Sequence, residues 1–173
     1  DAVMHVLREA EAASVIDLGC GEGRLLRRLI AEAQFKRIAG MDVASRALEL
    51  AEKRLELGRL TTARRESIQL FQGSLLYRDA RLAGYDAAVV SEVIEHFDPP
   101  RLSAFERVVF GFARPGVVIL TTPNAEYNIR YAGLDPGHYR HSDHRFEWTR
   151  EEFARWAGGR AGRRWPHHED AAD

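Results

Sequence analysis

Glu92, Glu95 and His96 stand within a short segment, residues 91–97, that directly follows a run of small apolar residues. If this segment is helical, positions i, i+3 and i+4 lie on one face of the helix. Carboxylate oxygens and an imidazole nitrogen suit Mg²⁺ or Mn²⁺. Zinc held by several thiolates is disfavoured, because Cys20 is the single cysteine. The segment therefore predicts half of a coordination sphere for a hard divalent cation.

A second pattern is a glycine-rich turn that carries Gly19 and Gly21 between a predicted strand at residues 14–18 and a helix. Glycines serve where the backbone turns tightly and approaches a ligand. Dinucleotide-binding turns have the pattern G-x-G-x-x-G, but here the third glycine comes one residue early and Arg24 takes the expected position. This spacing argues against NAD. Asp42 ends the next strand, where a carboxylate can accept both hydroxyls of an adenosine ribose.

The glycine turn and the later aspartate together resemble the S-adenosylmethionine (SAM) site of class I methyltransferases. The matching residues are D-L-G-C-G-E-G at positions 17–23, followed by Asp42. The resemblance implies that Asp17 lies near the methionine amino group of SAM. It also implies that Ser74, which follows the third strand, contacts the adenine.

Two alternatives to a metal enzyme remain open at this point. A Glu-Val-x-Glu-His run such as the one starting at Glu92 also resembles many metal-independent methyltransferases of small molecules. In those enzymes Glu95 and His96 would form an acid–base pair. A third interpretation is a SAM-binding or RNA-binding module without turnover, because a fold does not prove an activity.

A long polar stretch after the last predicted strand, residues 139–153, contains the element H-S-D-H-R-F-E-W-T-R. A histidine of this loop can close the coordination sphere opposite the Glu/His segment, with a carboxylate such as Asp143 orienting a ring. With residues 73–79 and 122–128, the stretch closely resembles the HUA-enhancer family of small-RNA methyltransferases. The resemblance runs from about residue 17 to residue 156, and the histidine-rich element is its most diagnostic part.

Members of that family methylate the ribose 2′-oxygen of the 3′-terminal nucleotide of RNA. The resemblance implies SAM and Mn²⁺ or Mg²⁺ as cofactors, and an RNA with a free 3′-terminal 2′,3′-diol as substrate. Carried over by position, the metal ligands are Glu92, Glu95, His96 and His144. The proton acceptor is His96 or His141, with metal-bound hydroxide or solvent as alternatives. His141 can also contact the substrate or a metal ligand.

Individual side chains, rather than an overall basic charge, are expected to contact the RNA. Arg78, Arg140 and Arg145 are candidates for phosphates, and Tyr127 is a candidate for stacking on the last base. The family implies either a eukaryotic small-RNA pathway or a bacterial RNA-repair assembly with a kinase and a ligase. Arginine-rich composition and the missing initiator Met favour the bacterial setting, in which the domain ends a larger polypeptide.

The elements that must position these residues form an α/β pattern. Apolar strands are predicted at residues 14–18, 37–42, 68–72, 87–90 and 117–121. Helices are predicted at residues 24–33, at 45–57 behind a serine cap, at 99–113 with Asp98 as cap, and from a capping box at 149–152 through Trp156. Strands that alternate with helices predict a doubly wound, mostly parallel sheet of the class I methyltransferase, Rossmann-like type.

Length and composition indicate the number of folded units and the classes of partner. The 173 residues suit one folded unit, and 25 basic against 26 acidic residues exclude a global basic field for nucleic acid or membrane. One cysteine and no long apolar run indicate a cytoplasmic protein without a membrane segment. We expect a methyltransferase domain at residues 1–157 and a polar tail or cut end at 158–173, with the closing strands of the sheet truncated.

Overall fold

The computed structural model describes residues 2–131, 133–134 and 137–160. Its centre is a sheet of five parallel strands in the order β3-β2-β1-β4-β5. The strands are β1 (Ser14–Leu18), β2 (Arg37–Asp42), β3 (Ile68–Gln72), β4 (Ala87–Ser91) and β5 (Val117–Thr121). Apolar runs predicted four of these strands with their bounds, and β4 extends one residue further than expected. The predicted α/β, doubly wound fold is confirmed.

Six α-helices accompany the sheet in the described part of the chain. They are α1 (Ala2–Glu9), α2 (Arg24–Ala31), α3 (Ser45–Leu55), α4 (Thr62–Glu66), α5 (Leu102–Glu106) and α6 (Arg150–Gly158). Short 3₁₀ turns lie at Leu57–Arg59, Ala80–Leu82, Ile94–His96, Pro99–Arg101 and Ala125–Arg130. Among the described residues, no helix is long and apolar enough to cross a membrane.

All four predicted helices differ from the observed ones, the last only because α6 ends at Gly158 instead of Trp156. The helix after β1 ends at Ala31, because Glu32 is extended. The next helix, α3, ends at Leu55 because Glu56 adopts a left-handed conformation with φ 46°. The predicted helix at 99–113 is a 3₁₀ turn, then α5, then a π-helix (Arg107–Ala113), and Asp98 makes no side-chain cap. The polar tail predicted at 158–173 lies outside the described residues from position 161 onward.

Both faces of the sheet are covered by apolar side chains. On one face Met4, Leu26 and Phe35 belong to a cluster that includes alternate residues of β1 and β4. On the other face Phe105 and Ile94 belong to a second cluster with the remaining strand residues. Strands that are buried on both sides explain why the sequence shows apolar runs rather than alternation.

The order of the strands reverses at β1, whose neighbours are β2 and β4. Asp17 of β1 lies opposite Gly40 of β2 and Val89 of β4. The turns that leave β1 and β4 therefore emerge side by side at the carboxyl edge of the sheet. In open α/β sheets, ligands bind in the crevice at this point.

Helix α6 begins with the predicted capping box. The hydroxyl of Thr149 accepts a hydrogen bond from the backbone N–H of Glu152, whose carboxylate accepts one from the backbone N–H of Thr149. Helix α3, in contrast, starts after Ala44, and no side chain caps it. The serine cap predicted there is therefore wrong.

Thr149→Ala should lower the free energy of unfolding by about 1 kcal/mol, because a helix N-terminal N–H loses its acceptor. Ser45→Ala is the matched control and should change it by less than about 0.5 kcal/mol. Urea unfolding followed by circular dichroism measures both. Equal losses in the two variants would show that the Thr149 cap contributes nothing.

Candidate active site

A cavity of about 400 Å³ lies between the turn after β1 and the turn after β4. Its wall brings together three of the residues predicted to bind cofactor, Gly19, Gly21 and Asp42. Glu92 and His96, predicted from an independent motif, line the same cavity. Two sequence patterns that lie far apart along the chain thus converge on one crevice.

The glycine turn keeps the cavity open. Gly19 has φ +87°, and a Cβ there would stand 2.5 Å from a methyl group of Val93. Gly21 also has positive φ, +51°, but a Cβ there would meet no atom within 4 Å. Gly19 is therefore required by the contact with the neighbouring turn, whereas Gly21 presents bare backbone to open space.

Asp42 fixes the turn from the other side. One of its carboxylate oxygens accepts a hydrogen bond from the backbone N–H of Gly21 at 2.8 Å, and the other accepts one from Ala44 at 2.9 Å. Each oxygen retains a further lone pair, and the side chain lines the cavity. This arrangement suits a carboxylate that accepts the two hydroxyls of a ribose.

Asp17 is buried beneath the same turn, with 4% of its surface exposed. Burial, together with the nearby charge of Asp42, raises the pKa of Asp17 to about 7. A cationic amine placed beside such a buried carboxyl group would lower its pKa and so favour the ionised carboxylate. The predicted contact with the amino group of SAM matches this electrostatic environment.

Ser74 has a local role in the structure. Its hydroxyl accepts a hydrogen bond from the backbone N–H of Leu76 at 3.2 Å and so closes a turn. The neighbouring Leu75, rather than Ser74, lines the cavity. The adenine contact assigned to Ser74 stays a prediction.

The helical arrangement considered for residues 91–97 is not found. Glu92 has φ +55°, and its backbone N–H still donates to Thr121 of β5 at 3.0 Å, so strand pairing continues one residue beyond β4. The chain then reverses into the short 3₁₀ turn Ile94–His96. The three polar side chains therefore share a tight turn rather than a helix face.

This turn and the later loop bring together Glu95, His96 and His144. One ligand atom from each lies within 4.8 Å of the others. Glu95 is fully buried; one carboxylate oxygen accepts from the hydroxyl of Thr122 at 3.1 Å, and the other has no hydrogen-bond partner. Burial raises the pKa of Glu95. A buried oxygen without a donor beside two imidazoles fits a divalent cation.

Glu92 is not part of this three-residue group. Its side chain is exposed, and one oxygen accepts a hydrogen bond from the hydroxyl of Thr121 at 3.2 Å. Thr121 and Thr122 thus hold the two glutamates of the turn, one each. The role of Glu92 as a metal ligand stays a prediction.

The three histidines predicted for the site are neighbours. The ring centre of His96 lies 5.0 Å from that of His144 and 6.4 Å from that of His141. Burial and the nearby His144 lower the pKa of His96, which favours the neutral imidazole that binds metals or accepts protons. The side chain of His141 is 60% exposed, whereas that of His144 is 9% exposed.

The carboxylate that contacts His144 is one that sequence reasoning missed. The predicted Asp143 is exposed, and its side chain lies 3.8 Å from His141. The buried Glu147 instead lies 2.6 Å from Nδ1 of His144. Burial acts to raise the pKa of Glu147, but hydrogen bonds from Asn128 and His144 outweigh it and lower the pKa. The sequence signal for Glu147 is its position three residues after His144.

Backbone hydrogen bonds attach the histidine loop to the rest of the site. The N–H of Arg145 donates to the carbonyl of Glu95 at 2.7 Å. The N–H of Ala125 donates to the carbonyl of Trp148 at 2.9 Å. The loop is therefore joined to the turn after β4 and to the segment after β5.

The candidate RNA contacts differ in their surroundings. Arg140 is bound inside the loop, with its guanidinium donating to Asn128 and to the carbonyl of Asn124, so that it holds the protein together. Arg145 is 57% exposed near Asp98, and Tyr127 is 41% exposed beneath Arg130. The guanidinium of Arg78 lies 6.0 Å from the ring of Phe112.

Comparison with known proteins shows the family of the chain. A family model described as a methyltransferase domain matches residues 16–119. A small RNA 2′-O-methyltransferase of Rattus norvegicus is 38% identical over 159 residues, covering 90% of this chain and 40% of the rat protein. The corresponding protein of Arabidopsis thaliana is 34% identical over 170 residues, covering 90% of this chain and 18% of the relative. The chain thus spans less than half the length of these relatives.

Solved structures extend the comparison. The methyltransferase domain of a bacterial protein, CtHen1, is 52% identical with a TM-score of 0.82, covering 92% of this chain and 80% of that domain. The small RNA methyltransferase HEN1 is 31% identical with a TM-score of 0.75, covering 91% of this chain and 21% of that one. A glycopeptide N-methyltransferase solved with SAM, 19% identical over 73% of this chain and 55% of its own with a TM-score of 0.59, shares the fold.

The raised pKa of Asp17 predicts a pH-dependent stability. Between about pH 4 and pH 7 the folded protein keeps a proton that the unfolded chain has lost, so the free energy of unfolding falls as the pH rises. Asp17→Asn removes this dependence. The variant should gain on the order of 1–4 kcal/mol relative to the parent between pH 4 and pH 8.

Urea unfolding across this pH range measures the difference. Asp143→Asn, which changes an exposed carboxylate, is the control and should follow the parent. Parallel pH profiles for the parent and Asp17→Asn would contradict the raised pKa.

Proposed function

This chain belongs to the methyltransferase-domain family and, within it, to the relatives of the bacterial Hen1 methyltransferase domain, and from that membership we propose a specific reaction. The protein transfers the methyl group of SAM to the ribose 2′-oxygen of the 3′-terminal nucleotide of RNA. The activity requires a divalent metal, Mn²⁺ or Mg²⁺.

One observation carries the proposal. His96 lines the crevice assigned to SAM and also belongs to the group formed by Glu95, His96 and His144. A methyl donor in the crevice and a hydroxyl held at the group would therefore be neighbours. Methyl transfer needs this proximity, since the attacking oxygen must lie in line with the bond that breaks.

The metal would be held by Glu95, His96 and His144, with Glu92 of the same turn as the proposed fourth ligand. The unpartnered oxygen of Glu95 supports this assignment, since a buried carboxylate without a donor is costly. When bound, the ion lowers the pKa of a coordinated hydroxyl and orients a 2′,3′-diol.

The protein's own residues bind SAM, limit the access of water and accept the proton. Asp17 and Asp42 bind the amino group and the ribose of SAM, and the glycine turn makes room for the ligand. Val93 and Phe97 supply apolar wall beside the reacting groups and limit the access of water. Neutral His96 or His141 accepts the proton that leaves the 2′-hydroxyl.

Substrate binding is proposed at the exposed surface around the histidine loop. Arg145 and Arg78 are the proposed phosphate contacts, and Tyr127 is the proposed platform for the last base. The function of Arg140 in this proposal is to hold the loop, because its guanidinium is bound to Asn128 and Asn124. The proposed setting is a bacterial, cytoplasmic RNA-repair assembly with a kinase and a ligase; the 52% identity to a bacterial domain supports the bacterial part of this setting.

The metal site gives the first test of activity. Glu95→Gln, His96→Ala and His144→Ala should each lower methyl transfer to RNA about 100-fold or more, because several kcal/mol of transition-state stabilisation are lost. SAM binding, measured by calorimetry, should change little in Glu95→Gln and His144→Ala. Excess EDTA should abolish transfer by the parent.

Two controls accompany these variants. His5→Ala, which changes an exposed histidine on α1, should keep full activity. His141→Ala should be milder than His144→Ala, and the reverse order would exchange their roles. Full transfer to RNA in excess EDTA would contradict the metal requirement, and transfer to a small molecule but not to RNA would favour the metal-independent alternative.

The RNA end gives the second test. RNA with a free 2′,3′-diol should accept label from SAM, whereas RNA with a 2′-deoxy or 3′-phosphate end should accept little, because both oxygens are needed at the metal. The methylated product should resist periodate oxidation and β-elimination. Label on a base, on an internal ribose or equally on 3′-phosphorylated RNA contradicts the proposed mechanism.

A further inference from the structure

We propose that Glu147 is a positioning residue that fixes the tautomer and orientation of His144. Its carboxylate holds the proton of His144 on Nδ1, so that Nε2 keeps the free lone pair with which the ring could join Glu95 and His96 in binding a cation. The consequence for metal affinity rests on the proposed function, whereas the tautomer itself does not.

The contact between the two side chains carries this inference. Oε1 of Glu147 lies 2.6 Å from Nδ1 of His144, and the two side chains are 0% and 9% exposed. An ionised carboxylate only accepts hydrogen bonds, so the imidazole nitrogen must donate. The other nitrogen of a neutral ring is then unprotonated. Histidines that bind metals are commonly held by such a carboxylate.

Glu147 is itself held by neighbouring groups. The backbone N–H of Arg140 donates to its Oε1 at 2.7 Å, and Nδ2 of Asn128 donates to its Oε2 at 2.6 Å. Nε of Arg140 donates to Oδ1 of Asn128 at 2.7 Å, which fixes the direction of that amide. A chain of hydrogen bonds therefore runs from Arg140 through Asn128 and Glu147 to His144.

His141, in the same loop, has the opposite arrangement. Its Nδ1 accepts a hydrogen bond from the backbone N–H of Asp143 at 3.2 Å, so the proton of the neutral ring belongs on Nε2. Neighbouring histidines should therefore carry different tautomers. His141 therefore serves as an internal control: a general disturbance of the loop would alter the tautomers of both histidines, whereas loss of Glu147 should alter that of His144 alone.

The first measurement uses the protein without added metal at a pH where both rings are neutral. Long-range ¹H–¹⁵N NMR of the imidazoles should show His144 protonated on Nδ1 and His141 protonated on Nε2. In E147Q, the amide that replaces the carboxylate should admit the other tautomer of His144, while His141 stays unchanged. Protonation of His144 on Nε2 in the parent overturns the inference, whatever the metal result.

The second measurement is Mn²⁺ binding, followed by the electron paramagnetic resonance of free Mn²⁺. E147A should weaken binding roughly 10- to 100-fold, as loss of such a partner does elsewhere. E147Q should also weaken it, because in either orientation its amide N–H groups face a donor, Nδ2 of Asn128 or the backbone N–H of Arg140. Asp143→Asn removes a carboxylate from the same loop and should leave the affinity within about twofold of the parent.

A double substitution separates positioning from a merely structural role. In N128D/E147Q the introduced amide N–H donates to the introduced carboxylate, which still accepts from Arg140. The introduced amide oxygen still accepts from His144 and from the backbone N–H of Arg140. All four hydrogen bonds are kept, and the negative charge moves from position 147 to position 128. The double variant should regain most of the Mn²⁺ affinity and the Nδ1–H tautomer lost in E147Q.

The outcomes distinguish the two proposals. Parent protein that binds no Mn²⁺ but shows the predicted tautomers contradicts the proposed function and leaves Glu147 as the residue that orients His144. Parent protein that binds Mn²⁺, with folded E147Q and E147A of unchanged affinity, overturns the role of Glu147 and leaves the metal site in place.

Discussion

Strand β1 pairs in parallel with β2 on one side and with β4 on the other, and the crevice of the candidate site depends on this pairing. It sets the glycine turn beside the turn that carries Glu92, Glu95 and His96. The contact is close enough that a Cβ at position 19 would strike Val93. Any shift between β1 and β4 would therefore change the distance between the crevice at the glycine turn and the group formed by Glu95, His96 and His144, because one sheet edge carries both.

The site contains two carboxyl groups that burial makes unfavourable as anions. Asp17 lies under the glycine turn and Glu95 under the histidines, and burial raises the pKa of both. In the proposed function each meets a cation, the ammonium group of SAM for Asp17 and a divalent ion for Glu95. The ligands would then offset a cost present in the folded protein. Such groups occur where a fold gives up stability for binding.

Sequence alone predicted what depends on local pattern. Apolar runs indicated the strands, and the capping box indicated the start of α6, because both signals involve neighbours along the chain. The helical arrangement considered for residues 91–97 is not found, because no sequence pattern indicates a left-handed Glu92, which β5 holds through a backbone hydrogen bond. Glu147 was missed because its importance depends on Asn128 and Arg140, which only the folded loop brings to it.

The attachment of the histidine loop has a consequence for the side chains of that loop. Main-chain N–H and carbonyl groups join it to the rest of the site, at Arg145 with Glu95 and at Trp148 with Ala125. Such bonds place no demand on side-chain identity. The exposed side chains of Ser142 and Asp143 are therefore not needed for these two attachments, which keep the loop beside the turn after β4. In the proposed function, substrate contact and metal binding would then fall to different side chains of one short loop.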